Sequence, residues 1–398
     1  MPRAELCAGP VGLLDGRIAP AADVPTLRLE VPAVEPAVPA NTIHLRFDDR
    51  PAPFRLIGRD GDVLATGVTT TAALFGGMSG CPGSLPELEP FVGPELRAAP
   101  WSPILYASWD GEPERVHTHG QARVSTHDVL LVRNSPEPVP YDRWVMHGAA
   151  NHARDPVFLN NHQCYYRKVR PGQETEHKFT FEEPGAVDVW ALIVAVYDEL
   201  RAARLPGFIM EYGDEFQRWD YENHLFEVVD PPEERGYISF IPRTDGRHNM
   251  KRKWYEADAL TRREEQYSGI DLTGSFEETI GARFDGLELR RLPSFRRVRY
   301  DVNLESVRTG HVYGIFFDHC PLLEDPSVAL SQCEVEYLRT RSVLPPDEEA
   351  VFPELQVVAD WTAALLDRRG ARYRRDFYSK LSFLRDVVGG GQAVGARS

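Results

Sequence analysis

The chain has 398 residues, of which 42% are hydrophobic and 26% charged, and its formal net charge at pH 7 is −15. This length favours two domains over one, and the composition is that of a globular protein with a sizeable core. The negative net charge argues against bulk nucleic-acid binding. A locally basic groove is still compatible with it, because steering depends on local charge.

Cysteine usage and hydropathy narrow the class of protein further. The five cysteines are scattered and contain no CxxC spacing, which argues against a disulfide scaffold and against a zinc ribbon. The N-terminus has no sustained apolar core, so no signal peptide is predicted. No run approaches the roughly 18 apolar residues of a membrane span. We therefore expect a soluble, cytoplasmic protein without a membrane partner, and the sequence leaves a homodimer open.

The N-terminal part divides into an arm and a β-rich segment. Residues 1–40 are rich in Pro and Ala, and we interpret them as a flexible arm because proline cannot donate to a strand ladder. From residue 41 to 165, short β-type runs alternate with turns, and Asp-Gly pairs at 60–61 and 110–111 are typical of hairpins. This segment predicts a mostly-β N-terminal domain of unknown function.

Three histidines in this segment are a weak candidate for a metal site. In HTHGQARVSTH, His117 and His119 would share one face of a strand, and His127 follows. No clear fourth ligand accompanies them, so a polar surface strand is the favoured interpretation.

From residue 166 to 388 the pattern changes to strands mixed with helices. Residues 184–203 have the apolar periodicity of a helix, and Ser275 with Glu278 forms a capping-box pattern for another. A further helix is predicted to end at Gly370, followed by a second, basic helix in RYRRDFYSKLSFLRDVV. The tail, residues 389–398, is predicted to be disordered.

Several strands of this part pair an apolar face with a strongly charged face. In ETEHKFTF, Glu174, Glu176 and Lys178 share one face because successive side chains of a strand alternate. The same alternation pairs Glu334 with Glu336 and Lys251 with Lys253, and it groups Arg297 and Arg299 with Asp301. Asp318 ends an apolar run.

Two accounts fit these charged faces. An antiparallel sheet with one face in water is the default for any single strand. A closed barrel with the charges inside is favoured for the set, because both signs repeat at every second residue. Such a lumen calls for a hard divalent cation, Mg²⁺ or Mn²⁺, on the acidic side, and for a phosphate-rich anion on the basic side.

These residues resemble a known family. The run Glu174-Thr-Glu176-His-Lys178 is similar to the ExExK signature of the CYTH, or triphosphate tunnel metalloenzyme, superfamily, and the order of the later motifs is also similar, over roughly residues 170–385. The resemblance implies an α+β protein whose C-terminal part is an eight-stranded antiparallel β-barrel, or tunnel, with flanking helices. It also implies a small phosphorylated substrate.

The resemblance also implies roles for individual residues. The matching metal ligands are Glu174, Glu176, Glu334 and Glu336, and we add Asp318 to them. The matching phosphate-binding residues are Lys178, Lys251, Lys253, Arg297 and Arg299, and we add Arg243. We predict catalytic roles for Glu334, Glu336 and Lys178. One departure from the family pattern is that Ser239 and Ile241 occupy positions where two basic residues are common.

The leading hypothesis is a divalent-metal-dependent phosphohydrolase acting on a triphosphate. The substrate class comprises inorganic tripolyphosphate and nucleoside or other organic triphosphates. Two alternatives stay open. The tunnel could bind a polyphosphate or phosphometabolite without hydrolysis, as a sensor. It could also belong to a specialised enzyme of the cyclase or lyase type, because cyclisation and hydrolysis need the same grip on phosphate.

Overall fold

The computed structural model describes residues 3–10, 25–33, 40–58, 60–76, 101–109, 111, 113–154, 166–211, 217–255 and 257–390. The chain forms two compact units. The first comprises the described residues of Met1–Arg167 together with Ser306–Gly310 and Thr340–Asp347. The second comprises those of Lys168–Glu305, His311–Arg339 and Glu348–Ser398.

The first unit is built on one antiparallel sheet. Its strands are β1 (Arg3–Pro10), β2 (Thr26–Pro32), β3 (Thr42–Arg46), β4 (Ala52–Ile57), β5 (Val63–Thr69), β6 (Trp101–Trp109), β7 (Arg115–Val124), β8 (Asp128–Arg133) and β9 (Val139–Pro140). They are ordered β3-β8-β7-β6-β1-β2-β4-β5, with β9 beside β7. Two helices belong to the same unit, α1 (Thr71–Phe75) and α2 (Trp144–Arg154), and a 3₁₀ turn lies at Tyr141–Arg143. A mostly-β N-terminal part is thus observed.

Part of the segment predicted to be a flexible arm is sheet instead. Strands β1 and β2 pair with each other, and β1 also pairs with β6. Leu6, Leu27 and Leu29 are fully buried in the core of this sheet. The apolar residues of TLRLEVP alternate, and their burial outweighs the loss of ladder donors at the flanking prolines. Residues 11–24 and 34–39 of the predicted arm lie outside the described residues.

The second unit contains a closed barrel of eight antiparallel strands. They are β11 (Gln173–Phe181), β13 (Gln217–Asp230), β14 (Gly236–Pro242), β15 (His248–Trp254), β16 (Thr261–Ile270), β18 (Phe295–Ser306), β19 (His311–Pro321) and β20 (Ala329–Arg341). The cycle runs β11-β16-β15-β14-β13-β18-β19-β20 and closes because β20 pairs with β11. Short strands lie outside the cycle: β10 (Tyr166–Arg167), β12 (Phe208–Met210), β17 (Glu288–Arg291) and β21 (Tyr373–Asp376).

Helices cover the outer face of the barrel. They are α3 (Val189–Arg201), α4 (Phe276–Gly281) and α5 (Val351–Arg368), with 3₁₀ turns at Pro232–Glu234 and Glu348–Ala350. A further helix, α6 (Lys380–Val388), packs instead in one buried cluster with the lumen-facing Leu225 and Tyr237. Outward residues such as Val302 and Val335 pack with Val196 of α3 and Leu355 of α5 in one buried cluster. Because the apolar faces of the strands are used on the outside, their charged faces are turned into the lumen.

The expected barrel is confirmed as an eight-stranded antiparallel closed barrel with flanking helices, but its expected position needs correction. The strands of the cycle lie between Gln173 and Arg341, so they do not form the C-terminal part of the chain. The residues that follow contribute α5, β21 and α6 outside the cycle. The C-terminal sequence has helical periodicity where it packs on the barrel, and this places it around the lumen instead of in its wall.

Local signals predicted several elements correctly. Helix α3 begins after Asp188, whose carboxylate caps the Ala191 amide, and α4 has the complete capping box of Ser275 and Glu278. The prediction of a second, basic helix was wrong for the first half of its range. Residues 373–376 form β21, which pairs with β11, and the helix begins only at Lys380 after the Ser379 cap. Of the predicted disordered tail, residues 391–398 lie outside the described residues.

None of the helices in the described ranges combines the length and apolar character needed to cross a bilayer.

Candidate functional site

A small polar cavity of about 50 Å³ lies in the barrel lumen. All eight strands of the cycle face this lumen, and helix α6 also reaches it. The residues that line the cavity are Glu174, Glu176, Lys178, Asn223, Leu225, Tyr237, Ser239, Ile241, Lys251, Lys253, Arg297, Arg299, Glu334, Glu336 and Lys380. This volume is that of one or two water molecules, so any larger ligand must displace contacts between the lining side chains.

An acidic cluster lies at the seam where the barrel closes. Glu174 and Glu176 come from β11 and Glu336 from β20, and one carboxylate oxygen of each lies within 4.8 Å of the other two. Glu176 and Glu336 are direct cross-strand partners. Three carboxylates at this spacing repel one another unless cations lie among them.

Glu336 is the carboxylate of this cluster that lacks a cationic partner. Among the described residues, no hydrogen bond or ion pair holds its side chain. Burial, together with Glu174 and Glu264 nearby, raises the pKa of Glu336 to about 8. At neutral pH this carboxyl therefore keeps its proton, and a bound cation would take the place of that proton.

The donor chemistry of the cluster fits a divalent cation. The three side chains offer only carboxylate oxygens, which are the preferred ligands of hard cations such as Mg²⁺ and Mn²⁺. A cation near Glu336 would also remove the repulsion that raises its pKa. Glu174, Glu176 and Glu336 could therefore hold a divalent metal.

Basic groups neutralise the other two carboxylates of the cluster. Lys253 Nζ donates to both oxygens of Glu174 at 2.5 and 2.6 Å. Arg262 donates to Glu176, and Lys178 Nζ lies 3.1 Å from the same carboxylate. Burial opposes the charged form of Glu174, but Lys253 and Arg262 hold its pKa below the usual range. Glu174 is therefore ionised, and Glu176 lies against two cationic side chains.

A second charged cluster lies on the opposite side of Lys178. Asp318 accepts paired hydrogen bonds from both Arg297 (3.1 and 2.6 Å) and Arg299 (2.7 and 2.8 Å). Glu334 accepts from Arg297 at 3.3 Å, and it also accepts from Arg299. Lys380 Nζ lies 2.7 Å from Glu334 and 3.0 Å from Asp318. Both carboxylates are buried, so each needs these cations.

The predicted metal ligands thus fall into two groups in the structure. Glu174, Glu176 and Glu336 are together in the acidic cluster. Glu334 and Asp318 are instead held by Arg297, Arg299 and Lys380. Alternation along β20 turns Glu334 and Glu336 into the same lumen, but their cross-strand partners on β11 differ, because Glu334 lies opposite Lys178 and Glu336 opposite Glu176.

The predicted phosphate-binding residues also divide. Lys178, Lys251, Lys253, Arg297 and Arg299 all line the cavity. Arg243 does not line it, because it lies at the hairpin between β14 and β15, where its exposed side chain pairs with Asp245 at 3.2 Å. Ser239 and Ile241 do face the lumen, as their positions predicted.

Three charged residues of the site were not among the predicted site residues. Arg262 and Glu264 alternate inward on β16, where Glu264 lies 3.3 Å from Lys251 and 2.9 Å from Lys253. In isolation the run RREEQ fits a solvated ion-pair face equally well, although its alternation was a usable signal. Lys380 lies at the start of α6, and no local pattern indicates that a helix outside the cycle reaches the lumen.

The histidines of the first unit are not part of a metal cluster in the described residues. His119 is buried, and its Nε2 lies 2.7 Å from the Ala40 carbonyl oxygen. Burial lowers the pKa of His119 to about 4. His117 contacts Arg133 at 3.1 Å. Both side chains therefore contact neighbouring residues of the same unit, Ala40 and Arg133.

No family model and no curated protein matches the sequence. Three solved structures are similar at low scores. A conserved hypothetical protein from Pyrococcus furiosus has a TM-score of 0.27 and 11% identity over 48% of this chain and 90% of that chain. The S. pombe Pct1 RNA triphosphatase in complex with the Spt5 CTD has a TM-score of 0.23 and 12% identity, over 55% of this chain and 85% of that chain. The same RNA triphosphatase alone has a TM-score of 0.22 and 12% identity, over 50% of this chain and 80% of that chain. Scores of this size establish neither a family nor an activity for this chain.

Proposed function

We propose that the barrel is a divalent-metal-dependent phosphohydrolase that acts on a triphosphate. One observation carries the proposal: an acidic cluster, in which Glu336 has no cationic partner among the described residues, lies in the same small lumen as a wall of Lys and Arg side chains. A metal ion with a phosphate chain satisfies both charges at once. The oxygen-only ligand set favours Mg²⁺ or Mn²⁺.

Phosphoryl transfer depends mainly on positioning and charge stabilisation, and the lumen offers both. Glu174, Glu176 and Glu336 would hold a divalent cation, which would supply charge neutralisation at the phosphate. Lys178 lies between the two clusters, 3.1 Å from Glu176 and 3.6 Å from Glu334, so it can contact the phosphoryl group nearest the cation. Arg297 and Arg299 present planar guanidinium groups suited to phosphate oxygens.

Glu336 is the carboxylate proposed to orient the attacking water. Glu334 is held by Lys380, Arg297 and Arg299, and all three would need to release it. Glu336 has no such partner among the described side chains and lies at the edge of the acidic cluster. Its second oxygen is therefore free to accept a hydrogen bond from water.

In the absence of a ligand, ion pairs between the lining side chains stabilise the charged lumen. Lys253 with Glu174 and Arg299 with Asp318 neutralise charges that would be costly to bury unpaired. Phosphate oxygens are equivalent partners for the same Lys and Arg donors. Substrate binding is thus an exchange of anionic partners inside the barrel.

The test is phosphate release from tripolyphosphate and ATP, measured with Mg²⁺, with Mn²⁺ and with a chelator. We expect release with either metal and none with the chelator. Glu176→Gln should abolish release. The variant should still unfold cooperatively, because the amide has the shape of the carboxylate, but at a lower thermal midpoint, because Arg262 and Lys178 lose an anionic partner. Glu265→Gln is the matched control, since Glu265 lies on β16 but pairs with Arg263 outside the lumen. Full release by Glu176→Gln would remove the metal role of the cluster.

A second candidate function is binding without hydrolysis. The observation that favours it is that Ser239 and Ile241 face the lumen and supply no positive charge there. A phosphate chain would then be held by fewer cations on this wall, as in a sensor. Tight calorimetric binding of tripolyphosphate together with no phosphate release under any metal would favour this function over the enzyme.

A further inference from the structure

One end of the barrel lumen has an exposed tryptophan. Trp219 lies on β13, directly opposite Arg299 of β18. On the same strand, Tyr221 accepts a hydrogen bond from Arg297, and Asn223 and Leu225 line the cavity. The pairing of β13 with β18 has no register shift between Gln217 and Asn223. Alternation therefore turns Trp219 to the lumen side, and yet it is 49% exposed.

The residues next to Trp219 form a rim beyond the basic wall. Asp301 lies one inward step beyond Arg299 on β18, and its cross-strand partner on β19 is Phe316. The Arg299 guanidinium lies 4.1 Å from the centroid of the Phe316 ring. Inward residues on one strand are about 7 Å apart. The rim of Trp219, Asp301 and Phe316 is thus one step from the arginines that we assign to phosphate.

Asp301 has an acceptor that the protein does not use. Its side chain is 4% exposed, and its Oδ1 is without a hydrogen-bond partner in the described part of the chain. A buried acceptor that lacks a donor is costly. Burial, with Asp318 nearby, raises the pKa of this carboxyl to about 7 although the Trp219 indole opposes the shift. A ligand that brings N–H groups to this rim would satisfy Oδ1.

We propose that this rim binds the base of a nucleoside 5′-triphosphate, with Trp219 stacking on the base and Asp301 Oδ1 accepting from its amino group. The inference rests on the proposed function, because it places the phosphates on Arg297 and Arg299. Any nucleobase can stack on an exposed tryptophan, because every base has a π-face. The ribose then spans the step between the rim and the arginines. Inorganic tripolyphosphate would use the same arginines but leave the rim without contacts.

The test compares two ligands that are not hydrolysed, the β,γ-imido analogue of ATP and imidotriphosphate, each titrated with Mg²⁺ by calorimetry. We expect wild-type protein to bind the nucleotide about fivefold or more tighter than imidotriphosphate. Trp219→Ala should remove most of that preference, while Trp219→Phe should keep much of it, since base–aromatic stacking accounts for roughly five- to hundredfold in affinity. Trp190→Ala is the control, because Trp190 is 46% exposed but lies on the outer helix α3.

A base-binding rim is contradicted if Trp219→Ala weakens both ligands equally, or if wild-type protein binds the nucleotide no tighter than imidotriphosphate. Neither result depends on turnover, so a failure to release phosphate would overturn the proposed function alone. A short 5′-triphosphorylated RNA carries the same chemistry at its end. Tighter binding of this RNA than of the ATP analogue would assign the rim to a strand end, and weaker binding to a free nucleotide, with stacking on Trp219 supported in both cases.

Discussion

Glu176 and Glu336 lie directly opposite each other on β11 and β20, the two strands whose pairing closes the barrel. Their carboxylates belong to one cluster with Glu174. Glu176 is held by Arg262 and Lys178, whereas Glu336 has no cationic partner among the described side chains. This asymmetry identifies the place where a cation would stabilise the lumen most.

Glu336→Gln should therefore stabilise the protein alone while removing its response to metal. The substitution removes a charge that burial, Glu174 and Glu264 disfavour, so we expect a gain of about 1 kcal/mol at pH 8. In wild-type protein, Mn²⁺ should raise the thermal midpoint because it binds only the folded state. Differential scanning calorimetry with and without Mn²⁺ measures both effects.

The control for this experiment is Glu265→Gln, whose side chain pairs with Arg263 outside the lumen. It should keep the full Mn²⁺ shift. An unchanged Mn²⁺ shift in Glu336→Gln would contradict the assignment of this carboxylate to the metal.

Arg299→Met should be strongly destabilising, because it leaves the buried Asp318 and Glu334 with fewer cations. Breaking a buried ion pair from one side typically costs about 3–5 kcal/mol. Arg243→Met should change the free energy of unfolding by less than about 0.5 kcal/mol, since its pair with Asp245 is on the surface. Urea denaturation compares the two variants. Arg299→Lys keeps a charge and should recover part of the loss; equal stability of all three proteins would contradict the network.

Lys380→Met tests whether helix α6 takes part in the lumen. Its ammonium group contacts Glu334 at 2.7 Å and Asp318 at 3.0 Å. We expect a loss of roughly 2–3 kcal/mol of stability and about tenfold weaker binding of tripolyphosphate, measured by calorimetry. Lys380→Arg should retain most of both. Wild-type affinity in Lys380→Met would limit α6 to a packing role.

Asp301→Asn should change how stability depends on pH. The carboxyl pKa is raised from 3.8 to about 7 in the folded protein, so the folded state holds a proton that the unfolded state releases. The wild-type protein therefore loses stability relative to the variant as pH rises from about 4 to about 7. The stability that the wild-type protein loses relative to the variant amounts to at most about 4 kcal/mol and no longer changes above that pH range. Unfolding curves at pH 4, 6 and 8 measure it, and a pH-independent difference would contradict the raised pKa.

The sequence predicted the faces of the strands better than their neighbours. Alternation placed Glu174, Glu176 and Lys178 on one face, and all three line the lumen. The same rule applied to RREEQ would have found Arg262 and Glu264, but an ion-pair face in water explains those residues equally well in isolation. Arg243 was misplaced because its strand turns at the hairpin before the side chain reaches the lumen.

The sequence by itself determined which side chains of each strand share a face, since that depends only on the period of two in an extended backbone. It also determined the caps of α3 and α4, which are local hydrogen bonds. Only the tertiary structure decided which charges meet. Closure of β20 on β11 sets Glu334 opposite Lys178 and Glu336 opposite Glu176, and packing of α6 brings Lys380 to Glu334. These contacts join residues far apart in the chain, so strand register and helix packing decide them, and no local pattern encodes either.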